Sequence, residues 1–136
     1  MNSQRVVTAA IIRKNGCILL ARRGPGEKLA GFWEFPGGKV ERGETPEECL
    51  ARELFEELGI EARIGERVAE SSHEYEHGSF RVIAYLVDWI SGEPRTNVHD
   101  RLEWVQIGDV GDYELLPADI PILLSLHSLN ELDELH

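Results

Sequence analysis

The chain has 136 residues, a length that suits one compact domain with its own core, and we expect residues 1–136 to form a single domain. Hydrophobic residues make up 42% and charged residues 29%, a balance that excludes wholesale disorder. The net charge of −11 argues against a nucleic acid polymer or an anionic membrane as a partner.

That charge is unevenly distributed along the chain. Residues 1–40 hold seven Lys/Arg and two acidic residues, for +5, whereas residues 41–57 hold seven Glu and two Arg, for −5. A basic segment followed at once by a dense acidic block needs a cause beyond solubility.

Neither a membrane nor an oxidising compartment is indicated. No apolar run approaches the ~18 residues that cross a bilayer, and the N-terminal residues MNSQRVV lack the apolar region of a signal peptide. The two cysteines, Cys17 and Cys49, match neither a disulfide framework nor zinc-finger spacing, so we expect reduced thiols among apolar neighbours. We therefore expect a cytoplasmic protein.

Apolar runs and turn residues predict the elements in chain order. Asn15-Gly16 supplies the positive φ angles of a tight hairpin between two apolar segments, and Pro36-Gly37-Gly38 stops a third strand. In order, we predict strands over 5–13, 17–21 and 32–35, a helix over 45–58, strands over 61–77, 80–90 and 102–107, and a helix over 117–129. This order predicts an α+β fold, a mixed β-sheet between helices in an α/β/α sandwich.

The first helix has capping residues at both ends. Thr45 is a good N-cap, Pro46 suits the first helical position, and Glu48 stands three residues after the cap. Gly59 is placed to end the helix in a left-handed conformation. The bounds of this helix therefore follow from local signals.

One face of this helix is acidic and the opposite face is apolar. At about 100° per residue, Glu53, Glu56 and Glu57 fall within one arc. The apolar arc comprises Leu50, Ala51, Leu54, Phe55 and Leu58. Like charges at this spacing cost about a few tenths of a kcal/mol each, which a hard cation such as Mg²⁺ would offset. Taken alone, however, three Glu on a helix are more typical of a solvated face.

A longer pattern decides between these interpretations. Gly38 is followed after five residues by Glu44, and after seven more by residues 52–60, whose sequence is Arg-Glu-Leu-Phe-Glu-Glu-Leu-Gly-Ile. This matches the Nudix box at every defined position, and the chain resembles a Nudix hydrolase. Outside the box, the similarity to the MutT branch of that family rests on residues 22–23, 33–39, 92–94, 103–104 and 116–119.

The resemblance implies a Nudix fold and an enzyme that hydrolyses nucleoside diphosphate derivatives with Mg²⁺ or Mn²⁺. For the MutT branch it implies a nucleoside triphosphate pyrophosphohydrolase, which releases a monophosphate and pyrophosphate. Clearance of oxidised or modified nucleotides, of the 8-oxo-dGTP or CTP type, is the candidate role. The implied partner is a small nucleotide, with the protein a monomer or a homodimer.

The resemblance also implies the metal ligands. By position in the box, Glu53, Glu56 and Glu57 supply carboxylate oxygens, joined by a backbone carbonyl at Gly37 or Gly38. The helical wheel agrees, because it places the three carboxylates on one face.

Further residues are implied by their place in the motif or its flanks. Arg52 is the cation that holds the catalytic carboxylates, and Glu44 is the structural Glu at the turn into the helix. Arg23, Glu34 and Phe35 match positions near the nucleotide in MutT-like enzymes. A surface arginine for Arg23 and a plain core residue for Phe35 are the alternatives.

Two positions depart from the MutT pattern. Val98 stands where a further Glu is common, so His99, Asp100 or a box carboxylate is left as the general base, and His99 also fits an exposed loop residue. Asp119 stands where the enzyme for oxidised guanine has Asn. As an acceptor-only group it predicts a different base preference.

Two other functions stay open. One keeps the chemistry and changes the substrate to a nucleotide sugar or dinucleotide, which hydrolysis of ADP-ribose would reveal. The other is a non-catalytic Nudix-fold module that binds a nucleotide without hydrolysing it.

Overall fold

Strands and helices fill most of residues 4–134, the part of the chain that the structure, a computed structural model, describes; for residues 129–134 it describes the backbone only. The strands are β1 (Arg5–Lys14), β2 (Cys17–Arg23), β3 (Trp33–Glu34), β4 (Gly37–Lys39), β5 (Glu61–Tyr75), β6 (Gly78–Ser91) and β7 (His99–Gln106). The helices are α1 (Pro46–Leu58) and α2 (Ile120–Glu134), and 3₁₀ turns cover Ile107–Asp112 and Pro117–Asp119. No helix within residues 4–134 combines the length and apolar character needed to cross a membrane.

The strand β1 lies at the centre of a mixed sheet. β6 runs parallel to it, with Arg5 opposite Phe80 and Ile12 opposite Val87. On the other edge, β4 and the start of β2 pair with β1 in the antiparallel sense. β5 extends the sheet beyond β6, while β3 and β7 both pair with β2.

Alternate side chains of β1 enter two hydrophobic cores on opposite faces of the sheet. Ala10 and Ile12 face α1, whereas Ala9 and Ile11 face α2. The helix side chains in these cores are Leu50, Leu54 and Leu58 of α1 and Ile122, Leu123 and Leu126 of α2. Because strand side chains alternate in direction, one central strand is covered on both sides. The predicted α/β/α sandwich is confirmed.

The helix α1 begins and ends at the predicted residues. The Thr45 hydroxyl accepts from the Glu48 peptide N–H at 3.1 Å, and the Glu48 carboxylate accepts from the Thr45 N–H at 2.8 Å. Gly59 adopts a φ of 71° and donates to the Phe55 carbonyl. The local capping chemistry therefore sets the position of the acidic face that follows.

The prediction that Phe55 belongs to the buried face of α1 is wrong. Its residue surface is 67% exposed, while Leu54 is buried. On the wheel Phe55 lies about 100° from Leu54, the centre of the leucine stripe that packs in the core, so its side chain points away from that stripe.

The strand β4 was not expected, since Pro36-Gly37-Gly38 indicates a strand end. A Cβ atom at Gly37 would overlap the Thr8 carbonyl oxygen of β1. Glycine here permits close backbone approach and hence pairing, rather than terminating the strand.

Two later boundaries also differ from the prediction. β7 begins at His99, three residues before the predicted start at Leu102. The predicted last helix opens with the 3₁₀ turn over Pro117–Asp119, and α2 proper begins at Ile120. Leu129, part of the predicted apolar stripe, lies outside the residues whose side chains are described.

Candidate functional site

A cleft of about 1150 Å³ lies beside α1 and the adjoining ends of β1, β2, β3 and β4. This volume slightly exceeds the roughly 300–1,000 Å³ usual for small-molecule sites. Its basic lining residues are Arg5, Arg23, Lys28 and Lys39, and its acidic ones are Glu27, Glu34, Glu41, Glu53, Glu57 and Asp119. The basic segment and the acidic block of the sequence therefore meet in one cleft.

Two of the three predicted carboxylate ligands face this cleft. Glu53 and Glu57, one helical turn apart, both line it. Burial, together with the charge and hydrogen bond of Glu53, raises the pKa of Glu57 well above its ordinary value. The Glu56 side chain is 56% exposed and accepts instead from Arg52 Nη1 at 3.2 Å. The structure thus brings Glu53 and Glu57 together and leaves Glu56 outside the cleft.

The glycine pair of β4 lies directly against Glu53. A Cβ atom at Gly38 would overlap the Glu53 carboxyl group, so the glycine makes room for that side chain. The Gly38 carbonyl oxygen accepts from the Thr8 hydroxyl at 3.1 Å and from the Cys49 thiol at 3.5 Å. These donors occupy the Gly38 oxygen, which favours Gly37 as the carbonyl that a cation would contact.

Both cysteines are free, as predicted, and Cys49 is the buried one. Burial raises the pKa of the Cys49 thiol to about 11, so the group stays protonated and serves as a hydrogen-bond donor beneath the glycine pair.

The donor set fits a hard divalent cation in an open site. Among the described residues, no three His, Cys, Asp or Glu side chains are arranged to enclose a metal ion on their own. Two carboxylates and a backbone carbonyl would leave coordination positions for water and phosphate oxygens, as Mg²⁺ prefers. The absence of sulfur and imidazole from this set disfavours zinc.

The guanidinium of Arg52 links the carboxylates of the motif. It binds Glu44 through two hydrogen bonds, Nη2 to Oε1 at 2.7 Å and Nε to Oε2 at 3.0 Å, and its Nη1 donates to Glu53 at 3.0 Å. The hydrogen bonds from Arg52 and from the Glu41 peptide N–H hold the pKa of Glu44 at about 2. Arg52 therefore lies between the structural Glu and the cleft carboxylate, where the resemblance placed it.

Two of the predicted substrate residues are joined at the cleft. Arg23 Nη1 donates to Glu34 Oε1 at 2.9 Å, and Arg23 Nε donates to the Lys28 carbonyl at 2.6 Å. The side chains of Arg23 and Glu34 are 23% and 14% exposed. Arg23 is thus a cleft residue rather than a surface arginine.

The other two predicted substrate residues also meet. The Phe35 peptide N–H donates to Asp119 Oδ2 at 3.2 Å, and both residues are buried cleft residues. Burial, reinforced by the Glu34 charge, raises the pKa of Asp119 to about 8. Burial thus favours the protonated form of this carboxyl, which has one donating and one accepting oxygen, over the acceptor-only carboxylate.

Val98, His99 and Asp100, which stand where MutT-like enzymes commonly have a Glu, lie in three different environments. Val98 lines the cleft but has no proton acceptor in its side chain, and Asp100 binds Arg22 at 2.7 Å outside the cleft. His99 is buried, and its Nε2 lies 2.7 Å from Glu34 Oε2. The interpretation of His99 as an exposed loop residue is wrong, because the residue opens β7.

An aromatic wall was missed by sequence reasoning. Tyr75 stacks on His77 with ring centroids 5.2 Å apart, and Phe80 lies edge-on to Tyr75 at 5.9 Å. All three line the cleft. Tyr75 ends β5 and His77 lies in the turn before β6, so only the β5–β6 hairpin brings these two rings to Phe80. Such ring faces suit stacking on a nucleobase.

Known proteins resemble this chain in both sequence and fold. The family model described as NUDIX domain matches residues 2–126. The chain is 43% identical over 123 residues to the CTP pyrophosphohydrolase of Escherichia coli, covering 90% of this chain and 91% of that protein. It is 30% identical over 129 residues to the 8-oxo-dGTP diphosphatase of Escherichia coli, covering 95% and 100%. The solution structure of the E. coli ORF135 protein superposes with a TM-score of 0.86 at 42% identity, covering 95% of this chain and 92% of that one.

Proposed function

The chain belongs to the NUDIX domain family as a nucleotide hydrolase acting on phosphoric anhydrides, and we propose that it cleaves nucleoside triphosphates to a monophosphate and pyrophosphate. The observation that carries the proposal is the meeting of two carboxylates, Glu53 and Glu57, with the cations Arg23, Lys28 and Lys39 in one cleft. Carboxylates suit a metal ion, and the cations suit a chain of phosphates.

We propose Mg²⁺ or Mn²⁺ as the cofactor. Glu53, Glu57 and the Gly37 carbonyl would hold it, and Glu56 would join them after leaving Arg52. When bound, the cation supplies charge neutralisation, polarisation of the P–O bond and a lower pKa for a bound water. The hard oxygen donors described above support this choice over zinc.

The residues of the chain itself perform the remaining steps. Arg52 keeps Glu53 oriented, and the cleft cations align the phosphates for attack by water on phosphorus. The P–O bond to pyrophosphate breaks, and a proton of the water passes to a carboxylate. Because Val98 lacks an acceptor, Asp100 is bound to Arg22 and the Nε2 of buried His99 is engaged by Glu34, we place this base among the box carboxylates that face the cleft.

We propose oxidised or modified nucleotides, of the 8-oxo-dGTP or CTP type, as the substrates. Two relatives bear those names. The neutral carboxyl of Asp119 offers a donor and an acceptor, beside the aromatic faces of Tyr75 and Phe80. Polar groups of this kind at the end of a stacking surface discriminate between base edges.

A substrate panel tests this proposal. At fixed Mg²⁺, the release of pyrophosphate is measured with 8-oxo-dGTP, dGTP, CTP, 5-methyl-dCTP and ADP-ribose. We expect triphosphates to be cleaved to monophosphate and pyrophosphate with a kcat/KM above that for ADP-ribose. Preference for ADP-ribose would favour the nucleotide-sugar function, and binding without hydrolysis would favour a non-catalytic module.

Substitution of the two cleft carboxylates tests their roles. We expect Glu53→Gln and Glu57→Gln each to lower kcat by about 100-fold or more, because amides bind Mg²⁺ weakly and accept no proton. Glu66→Gln, an exposed position on β5 with the same change of charge, is the matched control. Near-wild-type turnover in both cleft variants would contradict the assignment.

A further inference from the structure

Three side chains from three strands form a continuous hydrogen-bonded row along the cleft. His99 opens β7, Glu34 ends β3 and Arg23 ends β2. His99 Nε2 lies 2.7 Å from Glu34 Oε2, and Arg23 Nη1 donates to Glu34 Oε1 at 2.9 Å. Each carboxylate oxygen therefore faces its own donor, which fixes the plane of the Glu34 carboxylate.

Only one of the two ring nitrogens of His99 makes a hydrogen bond among the described residues. Carboxylate oxygens accept, so Nε2 is the donating nitrogen and Nδ1 is left over. Among the described residues, Nδ1 is buried without a hydrogen-bond partner. An unpartnered buried nitrogen weakens a fold, and an apolar side chain would avoid that cost. The value of a histidine here therefore rests on its contact with Glu34.

Strand register is what brings His99 to Arg23. β2 and β7 pair these two residues after a register shift between Arg22 and Arg23. Such a shift changes the direction of the side chains, so that two consecutive residues of one strand contact different residues. Arg22 binds Asp100 outside the cleft, whereas Arg23 joins Glu34 and His99 within it.

We propose that His99 is a positioning residue for nucleotide binding, acting through Glu34 on Arg23. Held by Glu34 through Nη1 and by the Lys28 carbonyl through Nε, the Arg23 guanidinium meets the substrate in one orientation. A pre-ordered cation loses less conformational freedom on binding than a mobile one. The inference rests on the proposed function, because it takes a nucleotide as the ligand of Arg23.

Three substitutions of His99 separate the effect of its hydrogen-bond donor from the effect of its ring shape. His99→Phe keeps a planar ring without the donor, His99→Gln returns an N–H near the Nε2 position, and His99→Asn carries an N–H too short to reach Glu34. We expect KM to rise about tenfold in the Phe and Asn variants, with kcat within about threefold of wild type. The Gln variant is expected to stay within about threefold of the wild-type KM.

Asp100→Asn is the matched control, because it changes the next residue of β7 and contacts Arg22 instead. Its KM is expected to equal that of wild type. Thermal melting identifies variants that fail to fold. If His99→Phe fails to fold, the proposal is tested by comparing the KM of His99→Gln with that of His99→Asn. An equal KM in the folded Gln and Asn variants would overturn the proposal.

A double-mutant cycle tests whether His99 acts through Arg23. In an Arg23→Ala background, we expect His99→Asn to change KM less than about twofold, since its target is gone. A full tenfold effect in both backgrounds would show an independent structural role and overturn the proposal. Hydrolysis by the wild-type protein is measured first, and its absence would contradict the proposed function. The inference on His99 is then tested separately, with the Kd for the nucleotide in place of KM.

Discussion

Asp119 is a carboxyl group that the fold removes almost completely from water, at 4% exposure. Burial and the nearby Glu34 raise its pKa from 3.8 to about 8, so the folded chain binds a proton that the unfolded chain releases above about pH 4. The stability that this proton contributes is fully present below pH 3.8 and is lost as the pH rises through about 8. One residue thereby couples the stability of the fold to pH, and under the proposed function it would couple base recognition to pH as well.

We expect Asp119→Asn to remove this pH dependence, because an amide stays neutral in both states. The free energy of unfolding of the variant, relative to wild type, should rise from pH 4 to pH 8 and then level. Denaturant titrations across this range measure it, with the exposed Asp100→Asn as control. A difference that does not vary with pH would contradict the buried, neutral carboxyl.

At the scale of elements, β4 meets β1 and α1 through two consecutive glycines that serve different neighbours. A Cβ atom at Gly37 would overlap backbone, the Thr8 carbonyl, whereas one at Gly38 would overlap a side chain, the Glu53 carboxyl. Backbone in a paired strand cannot move aside, but a glutamate side chain can. The missing side chain at Gly37 therefore serves strand pairing, and the missing side chain at Gly38 serves the position of Glu53.

The two alanine substitutions should separate these effects. We expect Gly37→Ala to lower the free energy of unfolding by about 1–3 kcal/mol. Gly38→Ala should keep most of the stability but lower kcat by roughly tenfold or more, because Glu53 is displaced. Gly108→Ala is the control, since a Cβ there meets nothing within 4 Å. Equal losses of stability in the Gly37 and Gly38 variants, with kcat retained, would refute this division.

At the scale of the whole molecule, seven of the 25 acidic residues stand in the block over residues 41–57, and three of these seven, Glu41, Glu53 and Glu57, line the cleft. Glu53 and Glu57 lie side by side in a cleft, and the negative charge of Glu53 helps raise the pKa of Glu57. A divalent cation between them would stabilise both ionised forms. Binding to the folded chain alone then adds to its stability.

We therefore expect the melting temperature to rise with Mg²⁺ concentration, by the equivalent of about 2.7 kcal/mol at a hundredfold excess over Kd. A chelator should reverse the shift and abolish hydrolysis. The shift should disappear in Glu53→Gln and Glu57→Gln but persist in Glu66→Gln, as calorimetry would show. An equal shift in all three variants would indicate general charge screening instead of a site.

Features that depend on nearby residues were determined by the sequence alone. The bounds of α1 follow from Thr45, Glu48 and Gly59, whose capping bonds reach only a few residues along the chain. The spacing of Glu53 and Glu57 on one turn, and the β1–β2 hairpin at Asn15-Gly16, are equally local. Motif spacing then led to the family, and the i,i+4 spacing of Arg52 and Glu56 makes their ion pair local as well, although no local signal turned Phe55 outward.

Only the tertiary structure decided how distant segments meet. The His99–Glu34 contact joins residues 65 apart in the chain, and the Asp119–Phe35 contact joins residues 84 apart. Such pairs depend on strand register and on burial, which a single sequence leaves unspecified because many pairings satisfy the same apolar pattern. For the same reason, the chemical identity of Asp119 was readable from the sequence, but its protonation was not: desolvation is a property of the packed fold.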